Sequence, residues 1–316
     1  MRQAPAINPA RRRFLKSAAT GAAGMALAHA LPALAATAGA PLTATPLSER
    51  LRLISGAGGN VLALSTNEGI LMVDGGEAAH APALLEQIAG SRDTRRIRMQ
   101  INTHWHPEHT GANDLLGAQG TRILAHENTK LWMTTDIDLP WQGKMYPPRA
   151  PVAWPTETTY TDGQVDFGGQ TVRYGYLPQA HTDGDLYVFF PAENVMAAGD
   201  VLGGAQYPIL DWCTGGWIGG LLNATKALLD LTDASTRFIA GQGAVLSRAD
   251  VEAQHEMLTA IRGKLVAMIK KGASLDEMMA AAPTKDFDAR WGDPNLLMTN
   301  AYPGLLGHVR ELGGIL

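Results

Sequence analysis

The residues best able to do chemistry are crowded into one short run. Thr103-His104-Trp105-His106-Pro107-Glu108-His109-Thr110-Gly111 holds three of the nine histidines in an H-x-H-x-E-H spacing, directly after a strand pattern over 97–103. In an extended chain, side chains two apart project the same way, so His104 and His106 can converge on one ion. The turn after Pro107 can then bring Glu108 and His109 to a neighbouring point. Three imidazoles without a thiolate suit Zn²⁺ best. The competing reading, a polar loop with incidental histidines, suits a lone histidine better than three at this spacing.

Further candidates stand at the ends of later strand patterns. His181 lies in Leu177-Pro178-Gln179-Ala180-His181-Thr182-Asp183-Gly184-Asp185, Asp200 closes Val195-Met196-Ala197-Ala198-Gly199-Asp200, and Gln242 follows Phe238-Ile239-Ala240-Gly241. Taken singly, each reads as a turn residue. His80 and His126 read as surface or helix-end residues, and His255 and His308 as structural parts of helices. The single cysteine, Cys213, permits neither an intrachain disulfide nor a multi-thiolate metal site, and reads as packing. Trp105 is a wall of the site or part of the core. Trp141, Tyr146 and Trp154 line a substrate groove or cap the core.

Positioning these groups requires strands that end together. Short β-type runs at 51–55, 61–66 and 69–74, separated by the turn Gly56-Ala57-Gly58-Gly59-Asn60, read as hairpins. An apolar stripe of Ala79, Leu84, Leu85 and Ile88 predicts a helix over 78–89. A strand at 121–125 and a helix over 127–133 follow. The Pro-rich stretch 136–155 reads as a long irregular functional or capping loop. Strand patterns restart at 171–177, 186–191 and 195–198. A helix over 217–231, a strand at 237–240 and helices from Arg248 onward complete the chain. Two similar halves, each strands then helices, imply one domain of mixed α/β (α+β) class with four layers.

Together the ordered motifs resemble the metallo-β-lactamase superfamily from about Leu51 to Gly243. The resemblance is carried by the Gly-Gly-Asn turn, Leu71-Met72-Val73-Asp74-Gly75-Gly76, the H-x-H-x-(acid)-H block, the His-Thr-Asp-Gly-Asp segment and the strand ending Gly199-Asp200. It implies the αβ/βα sandwich and a first zinc held by His104, His106 and His181. It also implies a second metal near Glu108, His109, Asp200 and Gln242, where the family places Asp at the first position and His at the last. Glu108 sets its oxygens one methylene further out, and Gln242 offers a neutral amide oxygen in place of an imidazole. One firmly bound zinc and a weak, displaced or absent second are therefore expected.

Such a zinc with an open position can lower the pKa of bound water to about 7 and polarise a carbonyl. Glu108 is the candidate to orient that water or shuttle its proton, and Asp200 to bridge two metals or brace a ligand histidine. The expected activity is hydrolysis of a small acyl substrate, a β-lactam or a similar cyclic amide or ester, by metal-bound hydroxide. Lactone or thioester hydrolysis of the glyoxalase II kind is the alternative, and a non-catalytic metal-binding protein with a decayed second site is another.

Composition bounds the remainder. The chain has 316 residues, 46% of them hydrophobic and 18% charged, which excludes wholesale disorder. A formal charge of −4 argues against a nucleic-acid partner. Arg11-Arg12-Arg13-Phe14-Leu15-Lys16, followed by an Ala/Gly/Leu run and Ala33-Leu34-Ala35, resembles a twin-arginine export signal. Residues 1–35 then form the signal peptide, 36–50 a linker and 51–316 the domain, with the export machinery as a partner and the periplasm as destination. A basic Ala-rich helix and a membrane anchor are the other readings; the run is too diluted by Gly, Thr, His and Pro for a stable span. Cleavage after Ala35 removes five basic residues and no acid, taking the formal charge from −4 to −9.

Overall fold

The computed structural model describes residues 41–310 and 312; the expected signal peptide lies outside them. The chain begins with β1 (Thr43–Pro46), β2 (Leu51–Ser55), β3 (Val61–Thr66), β4 (Gly69–Val73) and α1 (Ala81–Ala89). Next come β5 (Ile97–Ile101), α2 (Pro107–Thr110), α3 (Asn113–Ala118), β6 (Arg122–His126) and α4 (Glu127–Met133). A hairpin of β7 (Ile137–Leu139) and β8 (Lys144–Tyr146) precedes β9 (Glu157–Thr159), β10 (Gly163–Phe167) and β11 (Gln170–Leu177). Then follow β12 (Asp185–Phe190), β13 (Val195–Gly199), α5 (Ile218–Asp230), β14 (Arg237–Ala240) and α6 (Arg248–Ile269). The described chain closes with α7 (Leu275–Ala280), α8 (Asp288–Trp291) and α9 (Asn295–Gly307).

Two sheets carry the fold. The first has the order β1-β2-β3-β4-β5-β6-β9, and the second β10-β11-β12-β13-β14. Strand alternation explains how they stack. Along β3, Leu62 and Leu64 face the second sheet, where they pack with Val188, Phe190 and Ile239. Their neighbours Val61 and Ala63 face the other way, onto Leu84, Leu85 and Ile88 of α1 and Leu116 of α3. In the second sheet Met196, Ala198 and Phe238 turn outward onto α5, α6 and α9 through Leu221, Leu258 and Ala301. The sequence of layers is thus helix, sheet, sheet, helix, as the two-halves pattern implied, with the central strands of each sheet buried on both faces.

Strand direction places the functional loops. β4, β5 and β6 are mutually parallel, so Asp74 and the histidine block leave the first sheet at the same edge. β13 pairs parallel with β14, while β11 is antiparallel to β12 and β12 to β13. The C-terminal ends of β11, β13 and β14 therefore also share one edge, which is where His181, Asp200 and Gly241 emerge. The turn between β2 and β3 joins the two edges. Asn60 donates its backbone N–H to Gly241 O at 2.7 Å and its side-chain amide to the carbonyls of Ala240 and Gly243, each at 3.0 Å.

Two parts of the expected organisation need correcting. The sheet starts within 36–50, because β1 pairs antiparallel with β2 from Thr43↔Ser55 to Pro46↔Arg52. All four β1 residues are exposed, so this edge strand has no buried face to give it an alternating pattern. Likewise 136–155 is only partly irregular: it contains β7 and β8, whose three residues each are too few to show a period of two. No helix among the described residues is long and apolar enough to cross a membrane.

Candidate metal centre

The histidine block changes direction at a proline. His106 is extended, with φ −54° and ψ 146°, as the residue before Pro107 prefers, and Pro107 then opens the single helical turn α2. This turn carries His109 back beside His104, with ring centroids 4.2 Å apart. His104 and His106 approach to 4.7 Å, and His181 reaches 4.7 Å from His104 and 4.8 Å from His106. All four imidazoles are buried.

Hydrogen-bond chemistry decides which nitrogen of each ring faces inward. The Asp74 carboxylate can only accept, so the hydroxyl hydrogen of Thr103 goes to Asp74 Oδ2 at 2.9 Å. Thr103 Oγ1 must then accept from His104 Nδ1 at 3.1 Å, which leaves the Nε2 lone pair of His104 free. His181 Nδ1 lies 2.9 Å from the Ile209 carbonyl, another pure acceptor, so its Nε2 is also free toward the cluster. His106 uses the opposite nitrogens: Nε2 donates to Asp211 Oδ2 at 3.0 Å, and Nδ1 points inward, 3.1 Å from His181 Nε2. His109 donates from Nδ1 to Asp74 Oδ2 at 2.8 Å, and its Nε2 stands 3.2 Å from Asp200 Oδ1.

Each outer nitrogen is thus committed to a fixed acceptor and each inner one is aimed at a common space. Asp200 closes that space, with Oδ2 3.9 Å from His104 Nε2 and 3.8 Å from His181 Nε2. Donor atoms of His104, His106, His181 and Asp200 lie within 4.8 Å of one another, and so do those of Glu108, His109 and Asp200. Glu108 is partly exposed, its Oε1 3.9 Å from His106 Nδ1. His104 Nε2 and His109 Nε2 are buried and have no hydrogen-bond partner. Buried nitrogens so oriented, with carboxylates beside them, fit a metal ion.

The charges are divided unevenly. Burial, reinforced by the other three imidazoles, holds His104 well below the usual histidine range. His181 is lowered by burial and by His106. For His106 burial opposes the charge, but the hydrogen bond to Asp211 and the carboxylates of Glu108, Asp211 and Asp200 raise it. His109 is likewise opposed by burial yet held well above the ordinary value by Asp74 and Asp200. Asp200 stays ionised against burial because His109 faces it. The nearby carboxylates thus favour the charged form at His106 and His109, and burial disfavours it at His104 and His181.

The sequence reading placed His104, His106, His181, Glu108, His109 and Asp200 at the site, and the fold brings these six together in two overlapping groups. Gln242 is exposed on the loop after β14. Its neighbour Gly241 proves more tightly placed: a Cβ there would collide with Asp200 Oδ1 and come within 2.8 Å of His109 Cε1. Two supporting side chains escaped the sequence reading. Asp74 adopts a left-handed φ of 63° and accepts from Thr103 N, Thr103 Oγ1 and His109 Nδ1. Asp211, fully buried, holds His106 and is itself held by Thr214 Oγ1 at 2.5 Å, which accepts from Trp105 Nε1 at 3.1 Å. Asp74 stood in a quoted motif without a role, and Asp211 had no spacing signal at all.

Three further histidines keep structural posts. His126 caps α4 and stacks on Tyr176 at 4.0 Å, His255 Nδ1 bonds Thr225 Oγ1 at 2.9 Å, and His308 stacks on Trp217 at 3.9 Å. Cys213 packs against the small core of Trp105, Met133, Ile137 and Leu139, where burial pushes its thiol up to about 12.

The family model for the metallo-beta-lactamase superfamily matches residues 55–268. The chain belongs to that superfamily. Among solved structures it is similar to the metallo-beta-lactamase from Pontibacter korlensis, at 18% identity and a TM-score of 0.56, covering 69% of this chain and 99% of that one. A metallo-beta-lactamase from Hirschia baltica matches at 16% identity and a TM-score of 0.54, covering 69% and 98%. The metallo-beta-lactamase IND-7 matches at 19% identity and a TM-score of 0.56, covering 70% and 99%. At these identities the likeness concerns the fold. No curated protein sequence matches the chain. Superfamily membership and the assembled donor set together make this a metallo-β-lactamase-fold protein with a site able to hold metal.

Proposed function

We propose that the protein is a zinc-dependent hydrolase acting on the carbonyl of a small acyl substrate, a β-lactam or a similar cyclic amide or ester. The observation that carries this reading is the set of inward lone pairs, each fixed by a partner on the far side of its ring. Bound there, zinc supplies Lewis acidity that polarises a carbonyl and acidifies water. The chain's own groups do the rest. Glu108, close to His106 yet open to solvent, can take and return a proton. Asp200 faces both donor groups and remains ionised for either. Asp74 and Asp211 keep the rings in place.

The test combines metal analysis with turnover of nitrocefin, an acyl-homoserine lactone and a glutathione thioester by the zinc-loaded protein. At least one should be hydrolysed, with the activity lost on chelation and in His106→Ala. Inactivity on all three at full zinc occupancy would overturn the reading. Lactone and thioester cleavage use the same groups on the same carbonyl chemistry, and the panel separates them.

The working place proposed is the periplasm, reached through the twin-arginine machinery, on the strength of Arg11-Arg12-Arg13-Phe14-Leu15-Lys16. Replacing Arg11 and Arg12 together by Lys should leave the uncleaved precursor in the cytoplasmic fraction. Unchanged export of that variant would sink the assignment.

A further inference from the structure

Two of the four imidazoles are braced from the first sheet, and two from a single loop of the second. His104 and His109 lean on Thr103 and Asp74, which follow β5 and β4. His106 and His181 lean on the loop between β13 and α5. There Asp211 Oδ2 accepts from His106 Nε2 at 3.0 Å, and the Ile209 carbonyl accepts from His181 Nδ1 at 2.9 Å. These two acceptors stand on either side of Leu210. The backbone that links them therefore sets the direction of both rings, and with it the place of His106 Nδ1 and His181 Nε2, 3.1 Å apart. Asp211 also donates its N–H to His181 O at 2.9 Å, so any shift of this segment reaches His181 twice.

The loop has little regular structure of its own: between Asp200 and Ile218 it contains one three-residue helical turn, Trp212–Thr214. It is tied instead to the C-terminal helices. Asn300 of α9 donates its side-chain amide to Leu210 O at 2.9 Å, and both residues are buried. Tyr207 donates its backbone N–H to Trp291 O of α8 at 3.0 Å, and its hydroxyl donates to Asp288 Oδ1 at 2.8 Å. Both helices lie beyond residue 268, where the family match ends. Packing on the second sheet accounts for Leu297, Met298, Ala301 and Leu305 of α9. It does not account for Asn300, the one polar side chain among the buried residues of that helix. Without that amide the Leu210 carbonyl would be buried and unpaired, and the peptide between the two ring acceptors would turn to find another donor.

We propose that Asn300, Tyr207 and Asp288 are positioning residues of the metal centre. Through the segment Ile209-Leu210-Asp211 the C-terminal helices fix His106 and His181 and so set the zinc affinity, while His104 and His109 are held independently of them. The inference rests on the zinc-binding part of the reading above and gives a task to helices outside the family match.

The experiment uses the full chain with ¹⁵N-labelled histidine and reads two quantities. In the zinc-free protein, Asn300→Leu and Asp288→Ala should move the ring ¹⁵N signals of His106 and His181 most and those of His104 and His109 least. Competition with a fluorescent chelator should show zinc bound about tenfold more weakly by both variants. Asp288→Asn keeps an acceptor for the Tyr207 hydroxyl and should restore the native value of each quantity. Met278→Ala, a buried change in α7, should lower the thermal midpoint and leave ring signals and zinc affinity as they were. Equal movement of all four rings, native zinc affinity in both Asn300→Leu and Asp288→Ala, or the same loss in Met278→Ala would overturn the inference. Ring shifts confined to His106 and His181 in a protein whose native form binds no zinc would refute the zinc reading and leave the bracing standing. Zinc binding with no ring shifts in either variant would do the opposite.

Discussion

Asp211 shows how much of the centre rests on residues that never face the metal. Its carboxylate takes the Nε2–H of His106, turning the Nδ1 lone pair inward, and it is anchored in turn by Thr214 and Trp105. Removing it leaves a buried N–H without an acceptor and a ring free to choose the wrong tautomer. Asp211→Ala should weaken zinc binding about 10- to 100-fold, as read by competition with a fluorescent chelator. Affinity equal to the native protein would mean that packing, not the carboxylate, orients His106. Gly241 makes the complementary point, since any side chain there would displace Asp200 and His109 together.

At the scale of elements, the helix that follows β6 carries its own acid sensitivity. His126 caps α4 by accepting from Asn128 N at 3.2 Å, and its buried ring is stacked on Tyr176. Burial lowers its pKa from 6.5 to about 4. Below pH 6.5 the unfolded chain takes up a proton that the folded chain refuses, so stability is lost as the pH falls from 6.5 toward 4. The loss should reach about 3 kcal/mol at the acid end. His126→Asn keeps a capping oxygen and cannot titrate, so denaturant unfolding of the zinc-loaded variant between neutral pH and pH 4 should show a shallower acid slope. Parallel curves for variant and native protein would assign the slope to other groups.

For the whole molecule, the metal centre joins the two sheets. His104, His106 and His109 leave the first sheet after β5, whereas His181 and Asp200 belong to the second. An ion bound across that junction stabilises only the folded chain. At a thousandfold excess of zinc over its Kd, the gain is about 4 kcal/mol, or about 10 °C in Tm. Chelation should therefore lower the thermal midpoint of the native protein and leave His181→Ala unmoved. An equal shift in that variant would place the stabilising ion elsewhere.

Much of this was legible in the sequence where the signal is short-range. The H-x-H-x-E-H spacing, the proline that turns it, and the alternation along β3 all lie within a few residues, where covalent geometry dictates which side chains share a direction. Strands β2 to β6 and β11 to β14 were located for the same reason. Exposed β1 and three-residue β7, β8 and β9 were not, because an element with no buried face or too few residues shows no period, and five-residue β10, with Val165 and Phe167 its only large apolar residues, was missed as well. What only the tertiary structure decided is who stands behind each ligand. Asp74 reaches His109 across 35 residues and Asp211 reaches His106 across 105. Those pairs exist because strands of two sheets end at one edge, a consequence of packing that leaves no mark on local spacing. The sequence by itself determined the types of donor available to a metal; the fold determined their tautomers and their shared focus.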